Sequence, residues 1–174
     1  MNEFVNTRDH FADLYEEFLP KVFRYVQYKV SNMQLAEDLT STVFEKTLIN
    51  FSKYSKDKAK FSTWLFSIAR NTIIDHYRVQ SKREAISLEE TAELSSEIMS
   101  PDEELVKKED LKKLRANLPR LSSKEQEIIA LKFGAELNNR QIAERLNLSE
   151  SNVGTKLYRA IRKLRDNFQE SENE

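Results

Sequence analysis

The sequence predicts an all-α protein: two small helical domains joined by a flexible acidic linker, the C-terminal one containing a helix-turn-helix. Three observations predict it. Only two glycines and three prolines interrupt 174 residues. Apolar residues recur at the spacing i, i+3, i+4, i+7 through most of the chain, and no segment alternates as a strand would. One stretch, SLEETAELSSEIMSPDEE, loses that periodicity and turns acidic and serine-rich, a composition that buries too little apolar surface to order itself.

The elements follow in order. A first helix is expected from near Arg8, with Phe11, Leu14, Tyr15, Phe18, Leu19, Val22, Phe23, Val26 and Val30 on its stripe. Pro20 lies inside it and predicts a kink or a break, because proline lacks a backbone donor. A second helix is expected after a cap at Ser31 or Asn32, with Leu35 or Ala36, Leu39, Val43, Thr47, Leu48 and Phe51 inward. A lysine-rich loop over 52–60 leads to a third helix with Ser62 as its expected cap. Phe61, Trp64, Leu65, Ile68, Ala69, Ile73 and Tyr77 form its stripe. These helices make a first domain over 8–83, and the acidic linker covers 84–104.

A second domain is expected over 105–168. Leu111, Leu114 and Leu118 make a short helix that Pro119 ends. Ser122 and Glu125 match a capping box. Ile128, Ile129 and Phe133 belong to the next helix, which Gly134 is placed to terminate. Ile142, Ala143 and Leu146 then share one helix face, and Val153, Leu157, Ile161 and Leu164 share another. Between them Leu148 is placed to plug the angle and Ser149 to cap the second helix. That layout is a helix-turn-helix.

The net charge of −1 conceals blocks of opposite sign. Residues 53–83 sum to +6, residues 84–110 to −8 and residues 140–165 to +5. Near-neutrality therefore does not argue against a nucleic-acid partner, since each basic block can meet phosphate by itself. The chain has no cysteine, hence no disulfide and no thiolate metal site. It has neither an 18-residue apolar run nor a signal-peptide pattern at its start, which predicts a cytoplasmic protein.

Two surfaces are candidates for binding. The second helix of the helix-turn-helix exposes Lys156, Arg159, Arg162, Lys163 and Arg165, with the short polar Ser151, Asn152 and Thr155 in its first turns. Such groups suit phosphates and base edges. The alternative is a solvated basic face on an ordinary helical hairpin. The 53–83 block mixes cations with Tyr54, Phe61, Trp64 and Tyr77, and rings beside a basic groove suit unpaired bases. Phe61, Trp64 and Tyr77 lie on the apolar stripe and read first as core. Ser67, Arg70, Asn71, Ile74, Asp75 and Arg78 form the polar face of the third helix, and Asn71 has the side chain best suited to a base edge.

Little supports catalysis. His10 and His76 are far apart, Asp75 and His76 point about 100° apart on a helix, and there is no glycine-rich phosphate loop. Glu37, Asp38 and Glu45 lack the accompanying histidine of a carboxylate metal site. No cofactor and no metal are expected.

Specific segments resemble the extracytoplasmic-function sigma factors of the bacterial sigma-70 family, from about Phe11 to Arg165. Ala36-Glu37-Asp38-Leu39 followed by Val43-Phe44 is similar to that family's AEDL stretch. Phe61-Ser62-Thr63-Trp64-Leu65-Phe66-Ser67-Ile68-Ala69-Arg70-Asn71 resembles its F-x-x-W-L-x-x-I-A-R-N segment, and Gln141 to Leu146 with Ser149 to Arg165 its helix-turn-helix. Two positions depart from the pattern. Gly154 stands where the family commonly has lysine, and Leu121-Ser122 where it has Leu-Pro.

The resemblance implies a non-enzymatic factor that binds core RNA polymerase at the β′ clamp and β flap and directs it to promoter DNA. It implies that Arg140, Ser151, Asn152, Thr155, Lys156, Arg159, Arg162 and Lys163 meet the −35 duplex. It implies that Tyr54, Lys56, Lys58, Lys60, Arg70, Asn71 and Arg78 hold the opened −10 element. Glu37, Asp38, Leu39, Thr42 and Glu45 would dock on the polymerase, the acidic linker would run through its RNA exit region, and an anti-sigma factor is a possible further partner. The alternatives are a two-domain transcriptional regulator with a ligand-sensing first domain, and a protein-interaction adaptor. A ligand-sensing domain has no reason to carry the FSTWLFSIARN segment with its basic tail, and DNA retention by the isolated second domain at low salt is the observation that would argue against an adaptor.

Overall fold

The computed structural model describes residues 2–30, 32–87, 114 and 116–172. Among these, the regular structure is helical. Helix α1 is Asn2–Gln27, α2 is Met33–Asn50 and α3 is Phe61–Ser87. Helix α4 is Ser123–Ile129 and runs on into a π-wound turn, Ala130–Gly134. Helices α5, Asn139–Leu146, and α6, Glu150–Glu172, form the helix-turn-helix. Beyond Ser87, the acidic linker lies outside the described residues, as do Leu111 and Ser31.

Helix α1 starts earlier than expected and passes through Pro20 without a break. Pro20 is on the exposed side of the helix, where water can satisfy the carbonyl that proline leaves without a donor. Phe18, Val22, Tyr25 and Val26 on the other side are buried and hold the helix together across the gap.

Helix α2 is capped by Asn32, whose Oδ1 accepts from the Leu35 amide at 3.0 Å. Its buried residues are Ala36, Leu39, Thr40, Val43, Phe44 and Thr47. Leu48 was expected inward, yet it is 57% exposed and Ile49 is 74% exposed. The buried stripe is centred on Leu39, Val43 and Thr47, and residue 48 lies about 100° further round. The buried hydroxyls of Thr40 and Thr47 are satisfied by the carbonyls of Ala36 and Val43 at 2.7 and 2.6 Å.

Ser62 does not cap α3. The helix starts at Phe61, and the Trp64 amide already donates to the Lys60 carbonyl. Leu65, Phe66, Ala69, Thr72 and Ile73 are buried, whereas Tyr77 sits at the margin and donates from its hydroxyl to the Lys29 carbonyl. At the open end of this three-helix unit, Phe51, Tyr54, Phe61 and Trp64 form one aromatic cluster with centroids 5.1–6.2 Å apart.

The described part of the second unit includes Leu114 and the 3₁₀ turn Leu118–Arg120, which contains Pro119. The Ser122–Glu125 capping box forms as expected. Phe133 was expected within the helix; it falls on the π turn and is 45% exposed. Leu118, Leu121, Ile129, Ala160 and Leu164 make a small core of their own.

The two units do more than share a chain. One continuous buried cluster contains Val22, Tyr25 and Phe66 from the first and Ile128, Leu131, Ile142 and Val153 from the second. Helix α1 lies against the π turn. There the Tyr25 hydroxyl donates to Glu127 Oε1 at 2.8 Å, and Lys29 Nζ lies 3.0 Å from Glu127 Oε2. Burial, then the neighbouring Glu127 charge, pushes the Tyr25 hydroxyl pKa well above its ordinary value.

Candidate nucleic-acid interface

The helix-turn-helix is built from short-range caps. Asn138 closes a capping box on α5: its Oδ1 accepts from the Gln141 amide at 2.9 Å, and Gln141 Oε1 accepts from the Asn138 amide at 2.8 Å. Asn147 then takes the left-handed conformation, φ 52, that ends the helix. Asparagine tolerates this region better than most residues. The Leu148 amide reaches back to the Ala143 carbonyl, and the half-buried Leu148 side chain packs on the core. Ser149 Oγ accepts from the Asn152 amide at 3.2 Å and so caps α6. The turn is therefore plugged at Leu148 and capped at Ser149 as the sequence indicated, whereas the Asn138 N-cap and the Asn147 C-cap of α5 were not evident from it.

Val153, Ala160 and Leu164 anchor α6 to the core. The opposite side exposes Ser151, Asn152, Thr155, Arg159 and Arg162, with Lys156 half-buried on its flank. Tyr158 shares this outward side and is 68% exposed. In the sequence it carries neither the charge nor the short polar group that marks the rest of this side. Arg140 is exposed at the start of α5 and pairs with Glu144 at 3.3 Å, and Arg162 pairs with Asp166. Such exposed pairs cost little to exchange for phosphate. Lys163 is committed elsewhere: its Nζ lies 2.8 and 3.0 Å from the two oxygens of Glu125.

On α3, Ser67, Arg70, Asn71, Ile74 and Arg78 are exposed along one side. Ser67, Arg70, Asn71 and Ile74 line a cleft of about 1020 Å³ whose far wall is the second unit, including Lys124, Gln126 and Arg145. Arg78 pairs with Asp75 at 3.2 Å. Lys56, Lys58 and Lys60 are exposed on the loop before α3. Tyr54 is half-buried, with its ring 5.1 Å from Trp64 and 5.5 Å from Phe61, so one of its faces is already occupied.

On α2, Glu37, Asp38 and Glu45 are exposed and half-buried Thr42 donates to the Asp38 carbonyl. Leu39 is buried at 6% exposure and holds the helix in place rather than facing outward. Exposed Leu48 and Ile49 continue the outward side beyond Glu45. Neither carries the charge that marks this side in the sequence, and Leu48 falls on the apolar pattern of α2. Among the described residues, no group of three or more His, Asp or Glu side chains could hold a metal ion, and no helix is long and apolar enough to cross a membrane.

Comparison with known proteins agrees with this layout. Sigma-70 region 2 matches residues 14–83, and sigma-70 region 4 matches residues 111–164. The chain is 30% identical over 156 residues to the ECF RNA polymerase sigma factor BldN of Streptomyces coelicolor, covering 90% of this chain and 59% of that protein's length. It is 30% identical over 154 residues to the ECF RNA polymerase sigma factor SigM of Bacillus subtilis, covering 88% of this chain and 91% of that one. The fold superposes on the sigma factor RpoE of Bartonella quintana, solved in complex with the anti-sigma factor NepR, with a TM-score of 0.71 at 19% identity over 92% of this chain and 97% of that one. Two sigma-70 regions in order, and relatives that match across nearly the whole chain, lead to one conclusion: the chain belongs to the extracytoplasmic-function group of the sigma-70 family of RNA polymerase sigma factors.

Proposed function

We propose that this protein binds core RNA polymerase and directs it to promoters by reading a −35 element as duplex and holding an opened −10 element. The observation that carries the reading is α6. It is a long helix capped at Ser149, anchored on one side by Val153, Ala160 and Leu164, and bare on the other side at Ser151, Asn152, Thr155 and Arg159. A rigid helix that offers short polar groups in its first turns and cations behind them suits a major groove. Tyr158 adds an apolar ring on the same side that can lie against a thymine methyl or a sugar.

The −10 role belongs to the polar side of α3. Arg70 and Asn71 supply a charge and an amide edge, and Lys56, Lys58 and Lys60 supply backbone attraction at its foot. Tyr54 supports this surface by holding the loop through its contacts with Trp64 and Phe61, with its outer edge left to meet a base. The polymerase surface is the outward side of α2, where Glu37, Asp38 and Glu45 adjoin Leu48 and Ile49. Polar residues around a small exposed apolar patch are the usual composition of a protein contact. The polymerase supplies the chemistry, and the protein acts in the cytoplasm as a specificity factor. An anti-sigma partner fits the same surfaces.

The reading is tested by mixing purified protein with core polymerase and following co-elution, in parallel with Leu48→Ser/Ile49→Ser and Glu45→Lys variants. Co-elution of the wild type and its loss in the α2 variants is expected. Co-elution of all three proteins alike would remove α2 as the docking surface, and co-elution of none would remove the function.

A further inference from the structure

Beside the recognition helix lies an amide whose two ends have different uses. Asn139 Oδ1, at the start of α5, accepts from Lys132 Nζ at 3.2 Å. An ammonium can only donate, so it fixes the amide oxygen inward and leaves Nδ2 as the outer end. Among the described residues Nδ2 donates to no acceptor. It faces Gly154 of α6: a Cβ built there would lie 3.9 Å from Nδ2 and meet nothing else. Gly154 belongs to the outward side of α6. Ser151 lies three residues before it and Tyr158 four after, so the three share a face. Ser151, Thr155 and Tyr158 are exposed, and Gly154, Asn139 and Lys132 are half-buried.

We propose that Asn139 is a DNA contact: its Nδ2 donates to a backbone phosphate of the −35 duplex, Lys132 positions it, and Gly154 is the opening through which the phosphate reaches it. The inference rests on the promoter reading above and adds to it a residue of α5 that sets the register of α6 in the groove.

The donor chemistry selects phosphate. Asparagine recognises adenine through both ends of its amide, and here the oxygen is already taken. A lone donor remains, with an ammonium behind it, and that combination suits an anionic oxygen. The first turn of α5 carries no carboxylate, and the exposed Arg140 adds a second positive charge next to Asn139.

A mere tie between the π turn and α5 would be better made by another side chain. Aspartate at 139 would hold Lys132 as an ion pair and would suit the start of a helix. Asparagine makes the weaker bond and keeps a donor outward. Lys132 is placed with equal care. It lies on the π-wound turn, and the chain after it folds back so that the Leu137 amide donates to the Leu131 carbonyl at 3.0 Å. The glycine follows the same logic. Glycine weakens a helix, yet at 154 it leaves the Asn139 amide bare, where a long side chain would lie across it.

The test uses core polymerase with the full-length protein, on a promoter duplex that the wild-type holoenzyme enriches from a randomised library. Phosphates of the −35 element are replaced one at a time by uncharged methylphosphonate. The wild type should lose about tenfold in affinity at the phosphate that Asn139 meets, the worth of one hydrogen bond to a charged group. Asn139→Ala and Asn139→Asp should bind the unmodified duplex about tenfold more weakly, whatever its base sequence. They should lose nothing more at that phosphate while the other positions stay sensitive. Asn139→Asp keeps the tie to Lys132, so its loss does not come from a misfolded unit. Gly154→Leu should erase the same sensitivity and Lys132→Met should weaken it. Profiles that match the wild type at every phosphate would overturn the contact and leave the promoter reading intact. A wild-type holoenzyme that enriches no duplex would overturn both.

Discussion

Lys163 and Glu125 tie the recognition helix to the helix beneath it. The ammonium lies 2.8 and 3.0 Å from the two carboxylate oxygens, one of which also accepts from the Ser122 amide and hydroxyl. The same carboxylate thus completes the cap of α4 and fixes the height of α6 above it. Partial burial works against its charged form, but the Lys163 and Ser122 hydrogen bonds outweigh it and hold the pKa at about 2, against an ordinary 4.5.

A depressed carboxylate contributes stability above its unfolded value and loses that contribution as pH falls towards the folded one. Stability should therefore be flat above about pH 5 and decline between about pH 4.5 and pH 2. Glu125→Gln should flatten part of that decline and lower the plateau. Thermal unfolding of both proteins across pH 7 to 2.5 checks this. Identical pH profiles would remove Glu125 from the explanation. Lys163→Ala should act mainly on stability, with a smaller effect on the salt slope of DNA binding than Arg159→Ala.

Gly154→Ala should stabilise the protein by about 1 kcal/mol, the difference in helix propensity between the two residues. The site accepts the methyl group: an added Cβ meets only Asn139 Nδ2, at 3.9 Å. Urea unfolding is the measurement, and a destabilised variant would show that the helix is strained there.

Trp64→Ala should cost about 3 kcal/mol or more, as the loss of a large packed side chain does, and Tyr54→Ala should also destabilise, because the two rings pack with centroids 5.1 Å apart, tilted by 30°, in one cluster. Tyr54→Phe should be close to neutral. Denaturation midpoints decide this, and a Tyr54→Ala protein of wild-type stability would return Tyr54 to a purely ligand-facing role.

What was legible in the sequence was local. The Ser122–Glu125 box, the cap at Ser149 and the plug at Leu148 each involve residues within a few positions of one another, and short-range hydrogen bonding decides them. The contact between the units was not legible. Tyr25 and Glu127 are 102 positions apart, and nothing near either marks the other. Gly134 read as a helix terminator, but it lies within the π turn, the cap is Ala135 and the left-handed residue is Glu136; what its lack of a side chain serves is the close backbone of α1. Periodicity reports that a residue faces something apolar and not what that is, which is why Leu48 read as core and Phe66 was passed over. Lys163 looked like any cation on a basic helix, since only its distance to Glu125 separates a tie from a free charge.

Asn71→Ala should reduce initiation on duplex promoters strongly while leaving polymerase binding intact. A premelted bubble over the −10 element should restore part of the activity if Asn71 acts in opening, and none if it captures a base. Permanganate reactivity of −10 thymines reports opening directly, and normal reactivity at normal polymerase occupancy would clear Asn71 of both roles.

Arg159→Ala and Lys156→Ala should each weaken binding to −35 duplex. A residue that meets phosphate should lower the slope of log affinity against log salt by about one, and a residue that meets a base should relax preference at one base pair. Titrations at several salt concentrations on matched and mismatched duplexes separate the two, and wild-type slopes and preferences in both variants would remove the contacts.

The central claim is most directly tested by run-off transcription with core polymerase and this protein on a library of randomised promoter sequences. Transcripts that depend on the protein, and whose templates share two short elements at fixed spacing, are the expected result. Transcription unchanged by its addition, or selected templates with no shared elements, would contradict the account.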